Sequence, residues 1–382
     1  MDQHAKRFLF LLSDTGGGHR SPAQATAQTL QETYGDQVRV DLVDVLAEYA
    51  PSPFRHLGAL YPYLTRGSSW PWAAVYRSTN TPSRVAFIAR CCWPLVKASF
   101  LRLVSDHPAD AIVCFHGLFN HMLVRTLAES GVTTPLITMV IDWATGHAAW
   151  FAPGVTRCLV PTSGVARRAL ACGLSAEQVV VTGLPIQDPF LQAAQQDPLT
   201  LRQQLGLDPD RPVVLLLGGA EGMGAPYHIV EAITGSGVQA QLVVIAGRND
   251  GLKHRLAHQT WPLPVHVRGF TNSVHQWMRA ADLLVTKAGP STVGEALVMG
   301  LPMVLSGALP GQERPTVDSI VQTGAGLWAP TPQRVAQSVR ELLAPGNPAL
   351  SRMAAQARSL AQPDAAQRVA QVVWACANGE LA

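Results

Sequence analysis

Three glycine-rich turns carry most of the side chains in this sequence that could do chemistry. The first, Asp14-Thr15-Gly16-Gly17-Gly18-His19-Arg20, follows an apolar run and precedes a helical stretch. Its glycines let backbone come close to a ligand, and the helix N-terminus behind them favours negative or polarised oxygen. It is not a dinucleotide fingerprint, because Ser21 stands where a third glycine belongs. His19 is the informative residue. An imidazole on a tight turn at a strand's end titrates near neutral pH and can take a proton from a hydroxyl. The competing reading is a surface-loop histidine with no task.

The second turn, Gly218-Gly219-Ala220-Glu221-Gly222-Met223-Gly224, lacks the Gly-Lys-Ser/Thr of a phosphate-binding P-loop. By itself it is weak evidence for phosphate. The third is Lys287-Ala288-Gly289-Pro290-Ser291-Thr292, where Ser291 and Thr292 either cap the following helix or turn hydroxyls and amides toward a diphosphate. Glu295, one turn further, suits ribose hydroxyls or is a first-turn acid favoured by the helix dipole. Gln312 and Glu313 follow Pro310-Gly311, and their adjacent amide and carboxylate suit vicinal sugar hydroxyls or a solvated loop.

The elements that must position these turns alternate. Apolar strand-like runs at Phe8–Leu12, Val38–Val43, Ala111–Cys114, Leu136–Ile141 and Arg157–Val160 are separated by helical stretches, the first opened by Ser21-Pro22 as cap and first-turn proline. The alternation pauses at Gly183-Leu184-Pro185-Ile186-Gln187-Asp188-Pro189. It restarts with Val213–Leu217, Gln241–Ile245, Val265–Val267, Asp282–Thr286 and Met303–Leu305. Continuous apolar strands between helices predict parallel sheets covered on both faces. The expected domains are 1–186 and 187–362, each Rossmann-like and doubly wound, facing each other across a cleft. A last helix in 363–382 has no partner fixed by the sequence, the N-terminal domain being one option.

A chain of 382 residues suits two cores. Its 47% hydrophobic content marks a folded protein, and a net charge of +3 is too small to argue for nucleic acid. The six cysteines show no C-x-x-C pair and read as buried free thiols. No secretory signal is visible, and no run approaches the roughly 20 apolar residues of a spanning helix.

Charge is uneven along the chain. Residues 51–105 contain no acid, yet hold Arg55, Arg66, Arg77, Arg84, Arg90, Lys97 and Arg102 and nine of the chain's 25 aromatics, among them Tyr61, Tyr63, Trp70, Trp72 and Tyr76. Interfacial aromatics beside arginines suit an anionic membrane surface, at roughly 1 kcal/mol per basic residue. The expected docking residues are Arg55, Tyr61, Tyr63, Arg66, Trp70, Trp72 and Arg77, with the 61–76 stretch read as an inserted loop. The competing reading makes some aromatics core, with a helix over Val85–Val104 burying Phe87 and Trp93.

Taken together, the sequence resembles the monogalactosyldiacylglycerol synthase family and its bacterial diacylglycerol glucosyltransferase relatives, within glycosyltransferase family 28. The peptidoglycan GlcNAc transferase is more distant. The pieces that carry the likeness are the His19 turn, Asp142-Trp143-Ala144-Thr145-Gly146-His147 through Trp150-Phe151, Gly183-Leu184-Pro185, the Gly218 turn, Gly247-Arg248-Asn249 and Gly269-Phe270-Thr271-Asn272. It closes with Thr286-Lys287 through Glu295-Ala296-Leu297 and Pro310-Gly311-Gln312-Glu313. Ser291 and Ala220 stand where relatives often have glycine, and Ile141 where a threonine is usual.

The resemblance implies a GT-B fold with a UDP-hexose donor in the C-terminal half and a lipid acceptor on the N-terminal half. By it His19 is the general base, helped by Gly17, Gly18, Asp142 and His147 around the acceptor. Gly218, Gly219, Ser291 and Thr292 face the diphosphate, with Arg248 in the donor site and Phe270 beside the uracil. Glu295 holds the ribose, and Gln312 and Glu313 hold the hexose. The expected reaction is one in-line displacement: His19 deprotonates the acceptor hydroxyl, the oxygen attacks the anomeric carbon, and an α-donor becomes a β-glycolipid. The donor half shows no D-x-D pair, so no cofactor is expected to be required, and Mg²⁺ stimulation stays compatible. His147 is the rival base.

The expected location is peripheral, on the cytoplasmic face of the cell membrane. Two alternatives remain open from sequence: a GlcNAc transferase acting on an undecaprenyl-linked acceptor, and a catalytically silent lipid- or nucleotide-binding module.

Overall fold

The computed structural model describes residues 5–14, 18–52, 54–56, 70–218 and 225–380. Two compact units emerge. One comprises residues 1–187 together with 363–382, the other 188–362.

The first unit holds a parallel six-stranded sheet in the order β2-β1-β3-β4-β5-β6. Its strands are β1 Lys6–Leu12, β2 Val38–Asp44, β3 Ala111–Cys114, β4 Leu136–Met139, β5 Arg157–Val160 and β6 Val179–Val181. β1, β3 and β4 are apolar and almost wholly buried, as covering on both faces requires. The chain reverses its direction of winding between β1 and β3, which opens a crevice beyond their carboxyl ends. The helix Ala365–Ala377 packs on the helix Arg20–Tyr34. Trp374 stacks on Tyr34 with centroids 3.9 Å apart, and Lys6 Nζ donates to the Ala377 carbonyl at 3.1 Å.

The second unit has the order β12-β11-β10-β7-β8-β9, again all parallel. Its strands are β7 Val213–Leu217, β8 Gln241–Ile245, β9 Val265–Arg268, β10 Leu283–Lys287, β11 Met303–Gly307 and β12 Gly326–Trp328. Here the winding reverses between β7 and β10. Sequence reading omits β6 and β12, three-residue edge strands too short for a periodic signal.

Several expectations need correction. Ser21 does not cap the first helix: that helix starts at Arg20, and His19 is its N-cap, with helical dihedrals and no side-chain capping bond. Residues 70–79 form a helix, not a loop, and Tyr76 is buried in it. The helix Pro82–Asp106 buries Trp93 but leaves Phe87 67% exposed, on the face opposite Val85, Val96 and Phe100. All the cysteines are free thiols, yet Cys91 is exposed. No described helix is long and apolar enough to cross a membrane.

Candidate active site

In the first unit the winding reversal puts His19, just after β1, beside residues just after β3. Leu11 pairs with Cys114, and the Phe115 N–H donates to the Leu11 carbonyl at 2.8 Å, so Phe115 and His116 emerge next to the first glycine turn. His19 Nδ1 lies 2.7 Å from the Phe115 carbonyl. A carbonyl only accepts, so Nδ1 carries the hydrogen and Nε2 holds the basic lone pair. The Trp150 ring lies 6.2 Å from the His19 ring. That indole is seated on two glycines: a Cβ at Gly117 would come within 3.1 Å of it, and one at Gly146 within 3.2 Å.

Burial lowers the His19 pKa to about 4, while the Phe115 carbonyl and the Asp14 and Asp44 carboxylates act the other way. The two acids sit at the ends of β1 and β2. The Asp14 N–H donates to Asp44 at 2.9 Å, and the Asp14 carboxylate accepts from both Nε and Nη2 of Arg20. At neutral pH the imidazole is therefore proton-free, and the nearby carboxylates favour its protonated form.

His147, the rival base, is otherwise engaged. Its Nδ1 accepts the Ala149 N–H at 3.1 Å, and its Nε2 lies 3.1 Å from Thr79 Oγ1. No lone pair remains for an acceptor. Asp142 is buried and accepts the Trp150 indole N–H at 2.8 Å, so both residues position the Trp150 loop. Gly18 is half-buried beside His19, while Gly17 lies outside the described residues. So do Gly219, Tyr61, Tyr63 and Arg66, as does the Trp70 side chain, although Trp70 begins its helix. Arg55 and Arg77 are exposed and Trp72 is half-buried.

In the second unit the winding reversal gathers the donor candidates. Gly218 is buried just past β7. Past β10 comes the helix Pro290–Met299, whose N-cap is Gly289 and which has no side-chain cap; Ser291 and Thr292 are thus not its capping residues. Glu295 is buried in this helix, and its carboxyl is pushed up to about 8 by desolvation. Gly311 adopts φ +84°, a left-handed conformation that suits glycine, and so delivers Gln312 and Glu313 to the start of the next helix.

Glu313 is only 4% exposed, and both its oxygens are used: Oε1 meets Lys287 Nζ at 2.8 Å and Oε2 accepts the Leu309 N–H at 2.8 Å. Phe270, after β9, is 56% exposed, with the Arg248 guanidinium 4.8 Å from its ring centroid. Sequence reading gave no role to Lys287, His116 or Trp150, although all three stand within two residues of a strand end or inside a quoted motif. Among the described residues no group of three or more His, Cys, Asp or Glu side chains is placed to hold a metal ion.

Two Rossmann-like units, one with a proton-free imidazole at its winding reversal and one with hydroxyls and buried acids at its own, define a GT-B glycosyltransferase. Residues 19–186 match the family described as monogalactosyldiacylglycerol (MGDG) synthase, and residues 213–369 the glycosyltransferase family 28 C-terminal domain. A probable monogalactosyldiacylglycerol synthase of Glycine max is 35% identical over 95% of this chain and 70% of its own length. Monogalactosyldiacylglycerol synthase 1 of Arabidopsis thaliana is 33% identical over the same shares. The chain belongs to the monogalactosyldiacylglycerol synthase family.

Solved structures agree on the fold. MurG of Acinetobacter baumannii aligns with a TM-score of 0.61 at 16% identity, over 97% of this chain and 99% of that one. Anabaena HepE, solved with UDP and glucose, aligns at 0.55 and 16% identity, over 97% and 100%. One expectation falls: these curated relatives are chloroplastic proteins, which overturns the assignment to the cytoplasmic face of the cell membrane.

Proposed function

We propose that this chain transfers a hexose from UDP-hexose to the free hydroxyl of diacylglycerol or a similar lipid, with inversion. The carrying observation is the His19 imidazole, whose Nδ1–H is held by the Phe115 carbonyl while its Nε2 has no hydrogen-bond partner among the described residues. Nε2 takes the acceptor proton as the oxygen bonds to the anomeric carbon. The bond from that carbon to the diphosphate breaks, and UDP leaves with the electron pair. The imidazolium is stabilised by the Phe115 carbonyl and by Asp14 and Asp44. General-base catalysis of this kind contributes roughly 10²–10⁴-fold. Family names favour galactose as the hexose.

On the donor side we assign Gly218, Gly219, Ser291 and Thr292 to the diphosphate, Phe270 and Arg248 to the uracil, Glu295 to the ribose, and Gln312 with Glu313 to the hexose. Loop amides and a helix N-terminus suit the leaving charge, so the reading asks for no bound metal. The lipid partner is a membrane surface. On the helix Pro82–Asp106, Phe87, Ile88, Cys91 and Leu95 form one exposed apolar face with Arg84 and Arg102 at its ends, an arrangement that suits anionic lipid.

The test pairs UDP-galactose, UDP-glucose and UDP-GlcNAc with diacylglycerol in anionic vesicles, with and without EDTA, and resolves products by mass spectrometry. His19→Ala should abolish transfer while leaving UDP affinity within about twofold of wild type. Near-normal transfer by that variant would refute the base assignment. Product only from UDP-GlcNAc and a polyprenyl acceptor would move the chain to the GlcNAc-transferase reading.

A further inference from the structure

Next to the base lies a second imidazole that the transfer chemistry above does not use. The ring of His116 lies 4.3 Å from that of His19, with planes inclined by only 30°. On its other side His116 stacks on Phe119 at 4.8 Å and 27°. Its Nδ1 accepts the Leu118 N–H at 3.3 Å, which places the neutral ring's hydrogen on Nε2 and fixes the ring's rotation. His116 is 7% exposed. The rings of His19, His116 and Phe119 thus form a short column rooted in the turn after β3, and only His19 stands at the glycine-turn end of it.

We infer that His116 is a positioning residue for the transfer step: stacked on His19, it fixes the plane of the base and keeps water from its inner face. This rests on the assignment of His19 as base and adds the group that holds it ready. The backbone carbonyl of Phe115 sets the tautomer but leaves the ring free to swing about that one bond, and a flat neighbour removes the swing. The orienting task that a carboxylate performs in other His-based sites is divided here between a carbonyl and a ring.

The electrostatics run the same way. Desolvation is the largest influence on both rings, and it lowers both pKa values; His116 falls well below its ordinary value, and a charge on His19 would lower it further. The other charged groups around His19 are Asp14 after β1, Asp44 at the end of β2 and Arg20 on the first helix, and the acids favour protonation. Trp150, bonded to Asp142, brings no charge of its own. Without the His116 ring, water would reach His19 and its proton affinity would rise toward the ordinary value of 6.5.

The test compares His116→Ala with His116→Phe, which keeps a flat ring, and with His116→Asn as a second truncation should the alanine variant fold poorly. His19 is titrated directly by nitrogen-detected NMR without substrates, and kcat, KM and UDP affinity are measured across pH. His116→Ala or His116→Asn should move the His19 midpoint from about 4 toward 6.5, carry the acid limb of kcat upward with it, and lower kcat at least about tenfold. UDP affinity should not change. His116→Phe should keep the low midpoint and most of kcat. The inference is overturned if the truncations keep the wild-type midpoint and kcat. It is also overturned if His116→Phe is as impaired as they are, which would assign the chemistry to the imidazole nitrogens. Wild-type protein without transferase activity would sink the functional assignment while leaving the NMR titration to judge the stacking alone.

Discussion

Lys287 at the end of β10 and Glu313 on the turn after β11 meet at 2.8 Å, and the other oxygen of Glu313 takes the Leu309 N–H at the same distance. The pair ties the third glycine turn to the loop that presents Gln312. Glu313 is therefore held in place at both oxygens, each of which keeps a further lone pair.

Removing the ammonium leaves a carboxylate buried and unpaired. Lys287→Met should destabilise the protein by about 2 kcal/mol, less than a fully enclosed pair because Lys287 is about one-third exposed. It should also raise KM for UDP-hexose more than it lowers kcat. Adding Glu313→Gln should restore much of the lost stability but not the KM. Chemical denaturation checks the first statement, and an unchanged midpoint for Lys287→Met would contradict it.

His147 Nε2 lies 3.1 Å from Thr79 Oγ1, and its Nδ1 accepts the Ala149 N–H. With both imidazole nitrogens engaged and burial lowering its pKa, His147 can hold the 148–150 turn but is poorly placed to take a proton from an acceptor. His147→Ala should lower kcat roughly tenfold through displacement of Trp150, with the acid limb of the pH profile where wild type has it. Loss as complete as that of His19→Ala would hand the base role to His147.

Much of this was legible in the sequence, because the core strands are continuous apolar runs: Ala111–Cys114, Arg157–Val160, Val213–Leu217 and Gln241–Ile245 keep their bounds in the structure. Edge strands such as Gly326–Trp328 were not, since three residues carry no period. Phe87 misled because helical periodicity shows that one face is apolar but not whether that face meets a core; the buried residues of its helix lie on the opposite face. His19 could be picked out as a candidate from its place on a strand-end turn. Its partners could not, because Phe115 and His116 are about 100 residues away and reach it only through the β1–β3 register.

Phe270 and Arg248 form a stacked pair, one ring face covered by guanidinium and the residue 56% exposed. A uracil beside Phe270 must share the ring with that cation or displace it. Phe270→Ala should weaken UDP binding about tenfold, consistent with roughly 1–1.5 kcal/mol for an aromatic contact. Isothermal titration calorimetry decides it: unchanged affinity would remove Phe270 from the nucleotide site.

Burial pushes the Glu295 carboxyl up to about 8 from an ordinary 4.5. Between those values the folded state holds a proton that the unfolded state has lost, so this group's contribution is fully present below about pH 4.5 and is lost as pH rises toward 8. Glu295→Gln, which keeps the shape without the charge, should therefore melt above wild type at pH 8 and equal it near pH 4.5. UDP adds a second readout. Ribose hydroxyls donating to Glu295 stabilise its ionised form, so UDP binding near pH 7 should release a proton. Calorimetry in buffers of different ionisation heat detects that release, which should vanish in Glu295→Gln along with much of the affinity. Identical proton release in the two proteins would place the ribose elsewhere.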